Sequence, residues 1–172
     1  MSDDEPLLQP HDGRRWCALH TRARHEKKVA AACQVLQVPA YLPLNISRTF
    51  SGGKVNTFHV PMFAGYVFAA LQPGQLSELK RSNSVAQRIA AEDEVALLRD
   101  LRGIRIVEQA QLELELSPTF RRGQRVVVTV GPLAGLSGTV VRYKNRHRLQ
   151  VTVAAIHQAL LVEVAEDALA PA

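Results

Sequence analysis

Cysteine is scarce in this chain: Cys17 and Cys33 are the only two in 172 residues. Their spacing excludes a CxxC redox or metal pair. Each sits in an apolar segment, as a small reduced core residue of a cytosolic protein does. No apolar run approaches the length of a membrane-spanning helix. The first fifteen residues hold Asp3, Asp4, Glu5 and Asp12 and have no apolar core. They read as a short disordered tail and not as a signal peptide, so a cytoplasmic location is expected. Also missing is any nucleophile–base pair, carboxylate pair or phosphate loop. Ser51-Gly52-Gly53-Lys54 lacks the P-loop spacing and falls within a hairpin pattern. His20 and His25 stand five residues apart among arginines, with no Cys, Asp or second ligand pair to complete a metal site. Catalysis, a metal and a cofactor are therefore not expected.

The chain does have an ordinary globular composition, 47% apolar and 22% charged, with a net charge of +5. That suffices for one domain or two small ones. The basic charge is uneven. Arg14 to Lys28 carries six Lys/Arg against one Glu, and Phe120 to Ala172 carries seven against three acids. Residues 1–119 as a whole hold 14 Lys/Arg against 13 acids, so the positive charge gathers in two places.

Periodicity divides the chain into elements. Trp16 to His20 predicts a first strand. His25 to Leu36 predicts a helix, with Val29, Ala32, Cys33 and Leu36 on one face. Val38-Pro39 ends it. Tyr41 to Phe50 predicts a second strand and Val55 to Val60 a third, joined by the Ser51–Lys54 turn. Met62 to Leu71, the most apolar stretch, predicts a central strand. Gln75 to Arg81 predicts a short helix and Val85 to Ala91 a strand. Asp93 or Glu92 caps a further helix through Leu101; Gly103 is a candidate stop, while Ile104-Arg105-Ile106 could carry the helix further. Glu108 to Ser117 alternates in period two and reads as an extended linker. The order suits an α+β fold, helices on one face of an antiparallel sheet. Beyond it, Gln124–Val130, Thr139–Tyr143, Leu149–Ala154 and Leu160–Val164 predict a tiny all-β barrel. The Ala, Leu, Gln and Glu content of Ala154 to Ala168 also suits a helix.

Two motifs stand out. In Gly131-Pro132-Leu133-Ala134-Gly135-Leu136-Ser137-Gly138, three glycines permit positive φ and close approach, Pro132 presets the turn, and Leu133 and Leu136 can tuck inward. With the flanking strands and Arg122-Gly123-Gln124-Arg125-Val126 upstream, the motif resembles that of a KOW domain of SH3-like type. Beside it, Arg142, Lys144, Arg146 and Arg148 alternate with Tyr143, Asn145 and His147. In one hairpin, period two puts the four cations on one side, for phosphate, an acidic partner or solvent.

The second motif is Pro61-Met62-Phe63-Ala64-Gly65-Tyr66-Val67-Phe68. It resembles the signature of the NusG N-terminal domain, with Ala64 where proline is usual. Trp16 to Val29 resembles the first strand, turn and helix entry of that domain, and Tyr41-Leu42-Pro43-Leu44 its second strand. The resemblance spans Trp16 to Leu169. It implies a tail at 1–13, a NusG N-terminal-like domain at 14–108, a linker at 109–118 and a KOW domain at 119–172. It also implies a monomeric, non-enzymatic transcription elongation or antitermination factor. Such a factor docks the clamp helices of the largest RNA polymerase subunit, suppresses pausing and lies beside non-template DNA.

By the same resemblance, Phe63, Tyr66, Phe68 and Trp16 are candidates for the polymerase contact, with a core role open for Trp16 and Phe68. His20, Arg22, Arg24 and Lys27 are candidates for nucleic acid. Arg81, Ser82 and Asn83 follow the short helix, where family members touch the other jaw of the polymerase cleft. The KOW residues Gly131, Pro132, Gly135 and Gly138 would shape a module that recruits Rho or the ribosomal protein NusE. The Ala64 departure and the His20-Thr21-Arg22 start favour a specialised RfaH-like paralogue over the general factor. A ribosome-associated or other RNA-binding KOW protein is the alternative.

Overall fold

The computed structural model describes residues 7–112, 114–117 and 123–172, with two compact units, 1–98 and 99–172. Asp3, Asp4, Glu5, Phe120 and Arg122 lie outside the described residues.

In the first unit the chain order is β1 (Arg15–Thr21), α1 (Glu26–Val35), β2 (Ala40–Tyr41), β3 (Leu44–Ser51), β4 (Lys54–Pro61), β5 (Tyr66–Leu71), α2 (Gln75–Lys80) and β6 (Val85–Ala90). α3 (Glu94–Ala110) follows and contains the divide between the units. Four strands form an antiparallel sheet in the order β2-β5-β1-β6. Alternation along β1 and β5 sorts the side chains between its two faces. Cys17, Leu19, Val67, Ala69 and Leu71 pack with Val29 and Cys33 of α1 and Leu79 of α2 in one cluster. The register Trp16↔Ala70, Ala18↔Phe68 and His20↔Tyr66 places those residues on the opposite face. The α+β expectation is met. No helix among the described residues is long and apolar enough to cross a membrane.

Several local expectations are corrected. The Met62–Leu71 run is not one strand: β5 starts only at Tyr66, because Gly65 at φ +84 turns the chain first. The Tyr41–Phe50 run breaks at Pro43, which has no N–H to donate, and its carbonyl accepts the Met62 N–H at 2.8 Å. Leu7 to Gly13 is not a loose tail. Leu8 is buried, and the Gln9 carbonyl accepts the Trp16 indole N–H at 2.8 Å. Asp93 does cap α3, its Oδ1 accepting the Ala96 N–H at 3.0 Å, but the helix runs through Gly103 to Ala110.

The second unit takes α3 from Arg99 onward, then β7 (Leu114–Ser117), β8 (Gln124–Val128), β9 (Ser137–Tyr143), β10 (Arg146–Val153), β11 (Gln158–Val162) and β12 (Leu169–Pro171). They form a six-stranded antiparallel sheet, β12-β8-β9-β10-β11-β7. The period-two segment before Ser117 is therefore a strand paired with β11, where a linker was expected. Gly103 lies where α3 approaches this sheet. A Cβ there would meet Leu136 Cδ1 at 3.4 Å. Asp100 Oδ2 accepts the Ala154 N–H at 3.1 Å, and burial raises the pKa of that carboxyl. Ala154 to Ala168 takes no α-helix: two short 3₁₀ turns flank β11.

The glycine-rich turn works as its composition suggests. Gly131 and Gly135 take φ +86 and +87, the Gly135 N–H donates to Val128 at 2.8 Å, and Leu133 and Leu136 are buried. Gly138 serves closeness instead, since a Cβ there would stand 2.7 Å from the Gln150 carbonyl oxygen. Gly138→Ala should therefore cost about 1–3 kcal/mol through overpacking, read as a lowered melting temperature of the full chain.

Burial pushes the Cys17 and Cys33 thiols from 9.0 to about 11. The folded state thus holds protons that the unfolded chain loses near pH 9. The stability this linkage contributes is complete below pH 9 and is lost as pH rises toward 11. Cys17→Ser/Cys33→Ser should flatten the alkaline limb of a stability-versus-pH curve. At neutral pH both thiols should resist a thiol reagent until the chain unfolds.

Candidate nucleic-acid interface

β1 ends where three loops meet. The Thr21 N–H donates to the Gly65 carbonyl at 2.8 Å, and the Arg22 N–H to the Ser84 carbonyl at 2.9 Å. The turn 22–25 closes with the His25 N–H on the Arg22 carbonyl at 3.0 Å and holds Arg24 at φ 65, where side chains other than glycine are uncommon. α1 begins at once with Glu26. That side chain is buried, and its Oε1 accepts the Gly65 N–H at 2.7 Å. A carboxylate here satisfies a buried amide and also suits the positive end of a helix.

Above this frame the side chains fall into place. His20 and Tyr66 are cross-strand partners with ring centroids 5.1 Å apart and planes 23° from parallel. Gly65 lies directly against the His20 ring: a Cβ there would stand 3.4 Å from its Cδ2. Arg22 Nη2 donates to Asn83 Oδ1 at 2.8 Å, which fixes an exposed guanidinium. His25 Nδ1 lies 3.1 Å from the buried Ser84 hydroxyl. Arg24, Lys27 and Lys28 stand exposed around the group. Exposed cations that can meet phosphate thus follow closely in the chain on a part-buried aromatic pair that can stack on a base.

Of the sequence candidates, His20 and Tyr66 are brought together; Arg22 pairs with Asn83, and Arg24 and Lys27 are nearby in the chain and exposed. Trp16, Phe63 and Phe68 are only 2%, 0% and 0% exposed and pack in the interior. Asn83, Ser84 and Glu26 were not read as parts of this site. Asn83 is 61 residues from Arg22, and no local pattern announces their pairing.

The basic hairpin of the second unit differs from expectation. Its turn is Lys144-Asn145, both at positive φ, and the register pairs Arg142 with His147, Tyr143 with Arg146 and Val141 with Arg148. Cross-strand partners share a face, so the turn puts Arg142 on the side opposite Arg146 and Arg148. Glu163 takes up charge from that second pair: Arg148 lies 2.6 Å and Arg146 4.0 Å from its carboxylate, and the contact with Arg148 lowers the Glu163 pKa. His147 faces Glu166 at 3.0 Å. A groove of about 470 Å³ opens beside these residues, with Val126, Val140, Val164 and Leu169 in its lining.

The chain thus joins an α+β unit with a cationic loop cluster to a unit dominated by β-strands. A family model described as "Transcription termination factor nusG" matches residues 14–107. That is more than half of the chain, which belongs to the NusG family. It is accordingly a transcription factor of the elongation and termination machinery, in a non-enzymatic family whose members bind RNA polymerase. No curated protein matches it.

Glu26→Ala should leave the Gly65 amide buried without an acceptor. The expected loss is roughly 1–3 kcal/mol in chemical denaturation, with Glu26→Gln recovering part of it.

Proposed function

We propose that the chain is an elongation or antitermination factor that docks on the clamp helices of RNA polymerase, suppresses pausing and touches non-template DNA. The observation that carries the nucleic-acid part is the Arg22 guanidinium held by Asn83, two residues along the chain from the stacked His20–Tyr66 pair. A pre-positioned cation and an aromatic face suit an unpaired strand. Arg24 and Lys27 extend the phosphate contact. Tyr66 is the signature aromatic that reaches the surface, while Trp16, Phe63 and Phe68 shape the polymerase-facing side from beneath. The second unit, read as a KOW module around Gly131, Pro132, Gly135 and Gly138, recruits a further partner, Rho or the NusE protein.

The test joins two measurements. Core RNA polymerase should retain the full chain in a pull-down. Arg22→Ala/Arg24→Ala should then weaken its binding to an assembled elongation complex, most at low salt, while leaving the melting temperature in place. No retention by polymerase, together with tight binding to ribosomal RNA, would overturn this reading in favour of a ribosome-associated protein. Unchanged affinity of the double variant would reduce Arg22 and Arg24 to a solvated turn.

A further inference from the structure

α3 from Arg99 onward and the sheet of the second unit border a cavity of about 300 Å³, and its whole lining belongs to that unit. The sheet wall is polar by register. Arg125 on β8 stands opposite Thr139 on β9, and Thr139 opposite Gln150 on β10. Cross-strand partners share a face, so the three form one row, with Ser137 and Thr152 two residues along on the same face. Their chain neighbours Val126, Leu149 and Val151 are buried on the other face. A polar sheet face ordinarily meets water, yet Gln150 is only 3% exposed. The helix wall carries Arg99, Arg102 and Ile106, which spacings of three and four put on one side of α3.

The cavity is positively charged. Three arginines of the lining stand against one acid among its described residues, Asp100. That carboxylate is already engaged. Its Oδ2 accepts the Ala154 N–H at 3.1 Å, and its Oδ1 lies 3.3 Å from Arg99 Nη2. Burial raises the Asp100 pKa, while the Ala154 N–H, Arg99 and Arg125 act against that rise, so Arg125 reaches the same corner from the sheet. Arginine forks on two walls, with hydroxyls between them, complement a group of about two negative charges and three strong acceptor oxygens. A phosphomonoester is such a group. A phosphodiester within a nucleic-acid strand carries one charge and two free oxygens. The volume stands at the small end of small-molecule sites.

We propose that this cavity binds the phosphoryl group of a small phosphomonoester. Arg102 from the helix and Arg125 from the sheet take its oxygens, and the Ser137 and Thr139 hydroxyls donate further hydrogen bonds. The site is separate from the Arg22 cluster and does not depend on polymerase docking.

The test is isothermal titration calorimetry of the full-length chain with inorganic phosphate and with adenosine 5′-monophosphate, at about 100 mM chloride to screen surface charge. Each probe should bind one site per chain. R102A/R125A should weaken both at least about tenfold. R102K/R125K, which keeps the charges and loses the forks, should retain part of the affinity. D100N keeps an acceptor for the Ala154 N–H and removes the opposing charge, so it should tighten binding about fivefold. A role confined to holding α3 on the sheet would not produce that gain. Absence of saturable binding below about 1 mM would overturn the proposal. So would equal affinity of the parent and R102A/R125A, or weaker binding by a D100N chain whose melting temperature is unchanged. A single-stranded oligonucleotide without a terminal phosphate that binds through Arg102 and Arg125 more tightly than the monoester would overturn it in favour of a nucleic-acid backbone. The R22A/R24A test on elongation complexes can succeed or fail independently of all these outcomes.

Discussion

The Glu26 carboxylate reaches from the first turn of α1 to the backbone N–H of Gly65 at 2.7 Å, in a buried setting. The Gly65 carbonyl in turn accepts the N–H of Thr21 at 2.8 Å, at the end of β1. One peptide segment thus ties helix, central strand and the start of β5 together, and both of its polar groups are satisfied where water cannot reach them. The arrangement needs positive φ at Gly65, which residues with a side chain rarely adopt. The His20–Tyr66 stack, the direction of the 22–25 turn and the orientation of α1 all follow from that constraint.

The apolar signature and the exposed surface therefore divide the work. Trp16, Phe63 and Phe68 are almost wholly inside, where they hold the sheet and the 62–65 turn in shape. Left at or near the surface are a guanidinium anchored by Asn83, an aromatic pair on the sheet and the exposed lysines of α1. The second unit handles its cations differently. Glu163 lies within ion-pair distance of two arginines and Glu166 of His147, so much of the positive charge of that hairpin is answered within the unit. Arg22 is held by a neutral amide instead, and its charge remains available to an outside anion.

Most elements of the fold were legible because their signals are local. Valines and alternation marked β8 to β11, and spacing of three and four marked α1. The failures have specific physical causes. Met62 to Leu71 is apolar throughout, yet burial and strand are different properties, and the chain buries Met62 and Phe63 within a turn. Gly103 was a candidate helix stop, but α3 runs on through it to Ala110, carried by Ile104 and Val107, which are buried. The alternation from Arg142 to Arg148 was counted straight through a two-residue turn, which breaks the assumed common face. The Leu8 contact escaped notice because the acids around it suggested a solvated tail.

The sequence by itself determined the division into an α+β part and an all-β part, the positive-φ glycines of the 131–138 turn and the resemblance to the NusG family. Each depends on neighbouring residues or on a contiguous motif. Only the tertiary structure decided which signature aromatics are surface and which are interior, and that Arg22 is held by Asn83. Those facts depend on strand register and on loops 40 to 60 residues apart coming together. Local propensity does not encode such distances: they are settled when the sheet closes and buried amides find their acceptors.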